Sequence, residues 1–181
     1  MKDLISIMDE MKHNQVGNYV IAGLDSYMIG GDNKGCVRFF ENSRNQQDAI
    51  TPHSHRFNFT CLVVKGWVRN RIWSATTEED SDFFEVSELY YGGEIGSHDK
   101  QFIERSFWKY SDKEFAQREV YSMKASEVHS IIFSKGAKVL FFEGPSVSEK
   151  SIILEPVVRG EVIPTFVKPE WMFQPIKSAQ S

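Results

Sequence analysis

Residues 51–66 read Thr51-Pro52-His53-Ser54-His55-Arg56-Phe57-Asn58-Phe59-Thr60-Cys61-Leu62-Val63-Val64-Lys65-Gly66. From Phe57 onward the run is aromatic, aliphatic and β-branched. It is entered through Pro52 and ends at Gly66, the pattern of a strand closed by a turn. His53 and His55 stand two apart where that strand begins. In extended backbone, residues i and i+2 share a face, so two imidazoles about 7 Å apart along the strand can turn toward one point. Imidazoles so placed can share a metal. By the same alternation Phe59, Cys61 and Val63 face inward with the histidines.

Working outward, short apolar or alternating runs recur between Gly, Asn, Asp and Pro, as in an antiparallel sandwich or barrel. Strands are expected at Tyr19–Ala22, Gly35–Glu41, Phe57–Val64, Trp67–Ser74, Phe83–Tyr90, Arg118–Met123, His129–Phe133, Lys138–Glu143 and Ser151–Leu154. A hairpin should follow, with Val157-Val158 and Val162-Ile163 flanking Arg159-Gly160. One short amphipathic helix precedes the strands: Leu4, Ile5, Ile7, Met8 and Met11 share a face before Asn14 and Gly17. The fold class expected is therefore all-β. The acidic group Glu78, Glu79, Asp80 and Asp82 reads as a solvated loop tip. Gly92–Lys113 reads as a longer excursion of the kind that covers a barrel mouth. Trp171 and Phe173 should pin the tail from Pro169.

The chain has 181 residues and 20.9 kDa. For that mass, surface scaling gives roughly 9,000 Å² folded against about 30,000 Å² unfolded, enough for one core. Fourteen Phe, 6 Tyr and 4 Trp make the interior ring-rich, which favours strands. The net charge of −4, with Lys and Arg scattered singly, argues against nucleic acid as a partner. No apolar run approaches the roughly 20 residues of a membrane-spanning helix, and acids interrupt the N-terminal stretch where a signal peptide is apolar. The chain thus reads as cytoplasmic. Cys36 and Cys61 are too few for a disulfide scaffold and read as buried thiols.

Of five histidines, a third, His129, opens another expected strand and could complete the site from across a barrel. His13 falls near the helix end and His98 in a loop. The run His53-Ser54-His55, three residues, Phe59, six residues, Gly66 resembles the first motif of the cupin superfamily. In that motif a Glu follows the His-x-His pair at the position of Phe59. The second cupin motif, a Pro-x-Gly turn leading into a His, is degenerate here as Lys124, Ser126, His129. The resemblance implies a cupin-type antiparallel β-barrel, or jelly-roll, spanning a single domain over 1–181. Its parts are the helix over 1–17, the motif core over 50–145, and C-terminal strands and tail over 146–181.

The resemblance also implies a metal held by His53, His55 and His129, without the usual Glu. Three neutral ligands leave up to three open positions on an octahedral iron and favour a substrate that brings negative charge. Cupin thiol dioxygenases are similar in using three His. The chain departs from them where some carry a catalytic Tyr, since Phe141, Phe142 and Glu143 stand there. Fe(II) is the cofactor expected, with Zn, Ni or Mn able to use the same ligands. Glu127, two residues before His129, is an alternative carboxylate ligand.

Among pocket candidates, Arg69 and Arg71 share one face of their strand, opposite Val68, Asn70 and Ile72, and either could hold a substrate carboxylate. Arg38 is a further candidate. Tyr121, and beside it Tyr90 and Tyr91, could orient a substrate or bound oxygen. Two functions follow as expectations: an oxygenase acting on a small anionic organic substrate, or a non-catalytic small-molecule-binding barrel with or without a structural metal. Isomerase or lyase chemistry can use the same ligands. The strand-rich C-terminus is compatible with edge pairing into a homodimer.

Overall fold

The computed structural model describes residues 4–6, 9, 24–32, 35–42, 51–91 and 99–157. Among them the strands are β1 (Asp25–Asp32), β2 (Gly35–Glu41), β3 (Phe57–Lys65), β4 (Trp67–Thr76), β5 (Asp82–Tyr90), β6 (Asp99–Ala116), β7 (Val120–Met123), β8 (Val128–Phe133), β9 (Lys138–Ser146) and β10 (Lys150–Pro156). They form two five-stranded sheets, ordered β1-β2-β9-β3-β7 and β10-β5-β6-β4-β8, antiparallel throughout. The fold is thus the all-β antiparallel barrel expected of the sequence.

Alternation along β3 survives in space, with Phe59, Cys61 and Val63 buried and Asn58 exposed. Register carries this inward face across the first sheet in rows. Cys36, Glu143, Phe59 and Met123 stand side by side, then Arg38, Phe141, Cys61 and Tyr121, then Phe40, Val139 and Val63. Towards the Gly66 turn the interior is closed by Val63, Val68, Ala137 and Val139, none more than 1% exposed. Gly66 itself has φ 75°, and a Cβ there would come within 2.5 Å of Ser134 Oγ. Only glycine fits a turn that is both left-handed and this crowded.

The segment 51–55 crosses between the sheets before the chain bends at Arg56 into β3. His53 exchanges both backbone hydrogen bonds with His129 of β8, and also bridges Ile153 of β10. These are the two edge strands of the second sheet, so the histidine segment is stitched between them. The inner surface of β8 then faces one core and its other surface a second, built from Trp73, Phe84, Val86, Trp108, Val128 and Leu154. All six residues of β8 are buried for that reason.

Two readings of the sequence are corrected. Most of Gly92–Lys113 is not a cover but the greater part of β6, which pairs first with β5 and then with β4. Residues 92–98, with His98, lie outside the described residues. β1 stands where no strand was expected, while Tyr19–Ala22 lies outside the described residues. The same holds for His13, for Ile7, Met8 and Met11, for the hairpin from Val158 on, and for the tail with Trp171 and Phe173. Residues 4–6 and 9 are helical, and Ile5 packs on Phe39, Val64 and Leu140 on the outer surface of the first sheet. There Lys138, almost wholly buried, pairs with Asp9 and with Glu41. Among the described residues no helix is long and apolar enough to cross a membrane.

Candidate metal centre

His53, His55 and His129 come together on the inner face of the barrel, each offering a ring nitrogen, with all three within 4.8 Å of one another. His55 Nε2 and His129 Nε2 lie 2.8 Å apart. Two imidazole nitrogens about 2.1 Å from a shared cation and at right angles to each other stand about 3 Å apart, so the spacing suits adjacent ligands of one ion.

The other nitrogens decide which lone pairs are available. His53 Nδ1–H donates to the carbonyl of Thr51 at 2.8 Å, and a carbonyl can only accept. His129 Nδ1 lies 2.7 Å from Asn70 Oδ1. Asn70 spends its amide N–H on Met123 Sδ, at 3.0 Å, so its oxygen accepts from the imidazole. Both rings are therefore held with Nδ1 protonated and Nε2 carrying its lone pair. An acceptor behind a ligating imidazole fixes its tautomer and raises its basicity.

Burial lowers the pKa of all three histidines, those of His55 and His129 well below the usual value. Charge on His53 and His129 lowers His55 further, and charge on His53 lowers His129, while the Thr51 bond opposes the shift at His53. The neutral ring is the ligating form. Neutral and converging, two of them pinned from behind, these residues fit a divalent cation. Among the described residues no carboxylate belongs to the group.

Beside the histidines lies a cavity of about 210 Å³. Its walls include Phe40, Phe57, Phe59, Phe141 and Tyr121, with Phe59 edge-on to His55 at 4.8 Å between ring centres. Tyr121 and the Cys61 thiol hydrogen-bond across β7 and β3. Burial pushes Cys61 up to about 12 and Tyr121 well above its ordinary value, so both stay protonated at neutral pH. Arg38 lines the cavity too, and its Nε donates to Glu143 Oε2 at 3.0 Å. The Cys36 thiol donates to the same oxygen at 3.2 Å, and burial first of all raises it to about 11.

Other expected site residues stand elsewhere. Arg69 and Arg71 lie on the other face of β4, paired with Glu114 at 3.0 Å and Asp112 at 2.8 Å, and neither lines the cavity. The alternation that sends Asn70 to His129 sends them outward. Glu127 is not part of the histidine group; its carboxylate turns back to the N–H of Lys124 and caps the turn before β8. Tyr90 turns to Glu88, whereas Tyr91 lines the cavity.

Two contributors were not singled out from sequence. Asn70 was visible only as a polar residue between Val68 and Ile72. Arg56 lines the cavity although strict alternation would turn it outward, because the chain bends there before β3 begins.

No protein-family model matches the sequence, and no curated protein matches it. Among solved structures it is similar to an RmlC-like cupin from Shewanella frigidimarina, at 11% identity over 75% of this chain and 87% of that one, TM-score 0.46. It is similar to the iron(II) form of HppE at 8% identity over 72% and 56%, TM-score 0.46. The Drosophila melanogaster CENP-C cupin domain aligns at 10% identity over 79% and 100%, TM-score 0.42. With every one of these scores below 0.5, the chemistry of this chain is read from its own side chains. The chain is similar in its two-sheet β-barrel to cupin-type proteins, and it carries a three-histidine group of its own inside that barrel.

Proposed function

We propose that this chain is a mononuclear non-haem iron oxygenase acting on a small anionic organic substrate. His53, His55 and His129 hold the cation, ferrous iron ahead of zinc, nickel or manganese. The observation that carries the reading is the convergence of three neutral imidazoles, two of them held with the lone pair on Nε2, beside a ring-lined cavity. Ferrous iron held there would supply redox chemistry and positions open to substrate and dioxygen.

The chain's own residues do the rest. Thr51 and Asn70 keep the Nδ1 protons in place and aim the lone pairs. Phe57, Phe59 and Phe141 exclude water around the histidines, which strengthens every charge interaction there. A neutral ligand set leaves a dication's charge uncompensated, which favours an anionic substrate. Tyr121, held protonated, can donate a hydrogen bond and is a poor base.

Metal content tests the proposal. Protein purified without chelator or histidine tag should carry close to one iron per chain, or take it up on anaerobic reconstitution. The His53→Ala, His55→Ala double variant should carry none. Oxygen uptake by the loaded protein in a screen of small organic acids and thiols then supports the oxygenase reading. No metal in the wild type, even after reconstitution, refutes it.

A second reading, a non-catalytic binding barrel, is favoured by one observation. Glu143, the carboxylate of the cavity wall, is already engaged by Arg38 and Cys36. Bound metal with no oxygen uptake under any substrate supports that reading.

A further inference from the structure

The cavity holds two guanidinium groups in different circumstances. Arg38 is almost wholly buried and its charge is matched by Glu143. Arg56, half-buried at the bend after His55, has no carboxylate partner among the described residues. Its guanidinium lies over the ring of Tyr91, 4.4 Å from the centre. The Tyr91 hydroxyl is tied to Ser151 Oγ at 2.9 Å. Below it the backbone is fixed, since the Arg56 carbonyl accepts the N–H groups of Val147 at 2.7 Å and Ser148 at 3.1 Å.

A guanidinium stacked on a tyrosine keeps its in-plane N–H donors free to meet a planar anion, and stacking removes much of the freedom lost on binding. The rest of the cavity wall is mostly apolar, with the rings of Phe57 and Phe141 prominent, which suits an apolar body. At about 210 Å³ the cavity lies below the roughly 300 to 1,000 Å³ of pockets that take drug-sized ligands, so the ligand is small.

We propose that Arg56, seated on Tyr91, holds the carboxylate of the substrate, and that the substrate is a small organic acid with an apolar, ring-sized body. This rests on the oxygenase reading for the word substrate, but the binding itself does not need the metal. Arg56 is a specificity-determining residue: it meets the end of the ligand away from its apolar part and rejects a neutral analogue by leaving its own charge unmatched. A charged hydrogen-bonded pair in a partly desolvated site discriminates against a neutral isostere by about tenfold or more.

The probes are phenylacetate and its neutral counterpart phenylacetamide, titrated calorimetrically into the full chain, both metal-free and zinc-loaded. Wild type should prefer phenylacetate by about tenfold or more in the metal-free form. Arg56→Gln should bring the two within about twofold by weakening phenylacetate alone, with phenylacetamide binding as the check on folding. Arg69→Gln, on the outer face, should leave the preference unchanged. Should Arg56→Gln lose phenylacetamide as well, Arg56→Lys decides. A preference cut by about threefold or more fits loss of the planar fork and supports the proposal, while an unchanged one overturns it. No preference in wild type, or a preference that survives Arg56→Gln, also overturns it. The two proposals fail separately. A chain that takes no metal but keeps an Arg56-dependent preference loses the oxygenase reading alone, and a metal-binding chain whose preference ignores Arg56 loses this inference alone.

Discussion

The two faces of β8 sit in one strand, one residue apart, and do different work. On one face Val128 and Ser130 meet the second core, where Trp73 Nε1–H donates to Ser130 Oγ at 3.0 Å beside fully buried Leu154. On the other, His129 and Ile131 meet the cavity. The indole N–H on the first face finds its acceptor within the protein. On the second, His53 and His129 are held from behind by Thr51 and Asn70, and the three histidines turn ring nitrogens toward one another. Buried polar atoms are usually paired. Ring nitrogens converging this closely are spaced as adjacent ligands of one ion would be.

The two faces should differ most in their mechanical response to truncation. Leu154 is enclosed on every side, whereas Ile131, of the same carbon count, borders the cavity. Leu154→Ala should destabilise by about 3 to 5 kcal/mol, the usual range for a filled core. Ile131→Ala should cost roughly 1 to 2 kcal/mol less, because its cavity side already lacks partner atoms. Urea unfolding of the two variants measures the difference. Equal costs would mean that the cavity is closed by packing in solution and is no binding space.

On the polar side of the strand the expected effect is smaller. Asn70→Leu removes the acceptor behind His129 while keeping volume in the interior. Metal affinity should fall by about ten- to a hundredfold, the usual cost of losing the partner behind a ligating histidine. Asn70→Asp, which keeps an acceptor oxygen, should retain most of the affinity. Competition titration against a chromophoric chelator reads both. An unchanged affinity in Asn70→Leu would show that the tautomer of His129 is set elsewhere.

Much of this was legible in the sequence wherever the signal was local and periodic. His53 and His55 are two apart in extended chain, and β2, β3, β4 and β5 announce themselves by alternation or apolar runs. β6 does not, because Asp99–Arg105 is exposed on both faces and so has no apolar side to alternate with. β1 is hidden by Gly30 and Gly31 and by a register shift between Met28 and Gly30. Arg56 escaped for a related reason: counting by twos runs unbroken from His53 and His55 to Phe59 and Cys61, but the bend at Arg56 lets a residue between two inward positions reach the same cavity. Sequence periodicity reports the inside of one strand well and says less about a residue at a bend, where both phases can face the same space.

Arg69 and Arg71 show the same limit from the other direction. Alternation assigned the pair to one face of β4 and Val68, Asn70 and Ile72 to the other, and this is what the barrel has. It could not say which face was inside, since Asn70 is as polar as its neighbours. The answer lies across the strand pairs: Ile72 stands opposite His129, and Arg69 and Arg71 stand opposite Glu114 and Asp112. These pairs are partly exposed, and Arg71 also lies over the ring of Tyr110 at 3.9 Å. Pairs of this kind contribute about 0 to 1 kcal/mol. Arg69→Ala and Arg71→Ala should therefore shift unfolding by no more than about 1 kcal/mol each, with metal content unaltered. A marked loss of bound metal in either would mean that this face of β4 reaches the histidines after all, and that the interior and exterior of the strand are exchanged in solution.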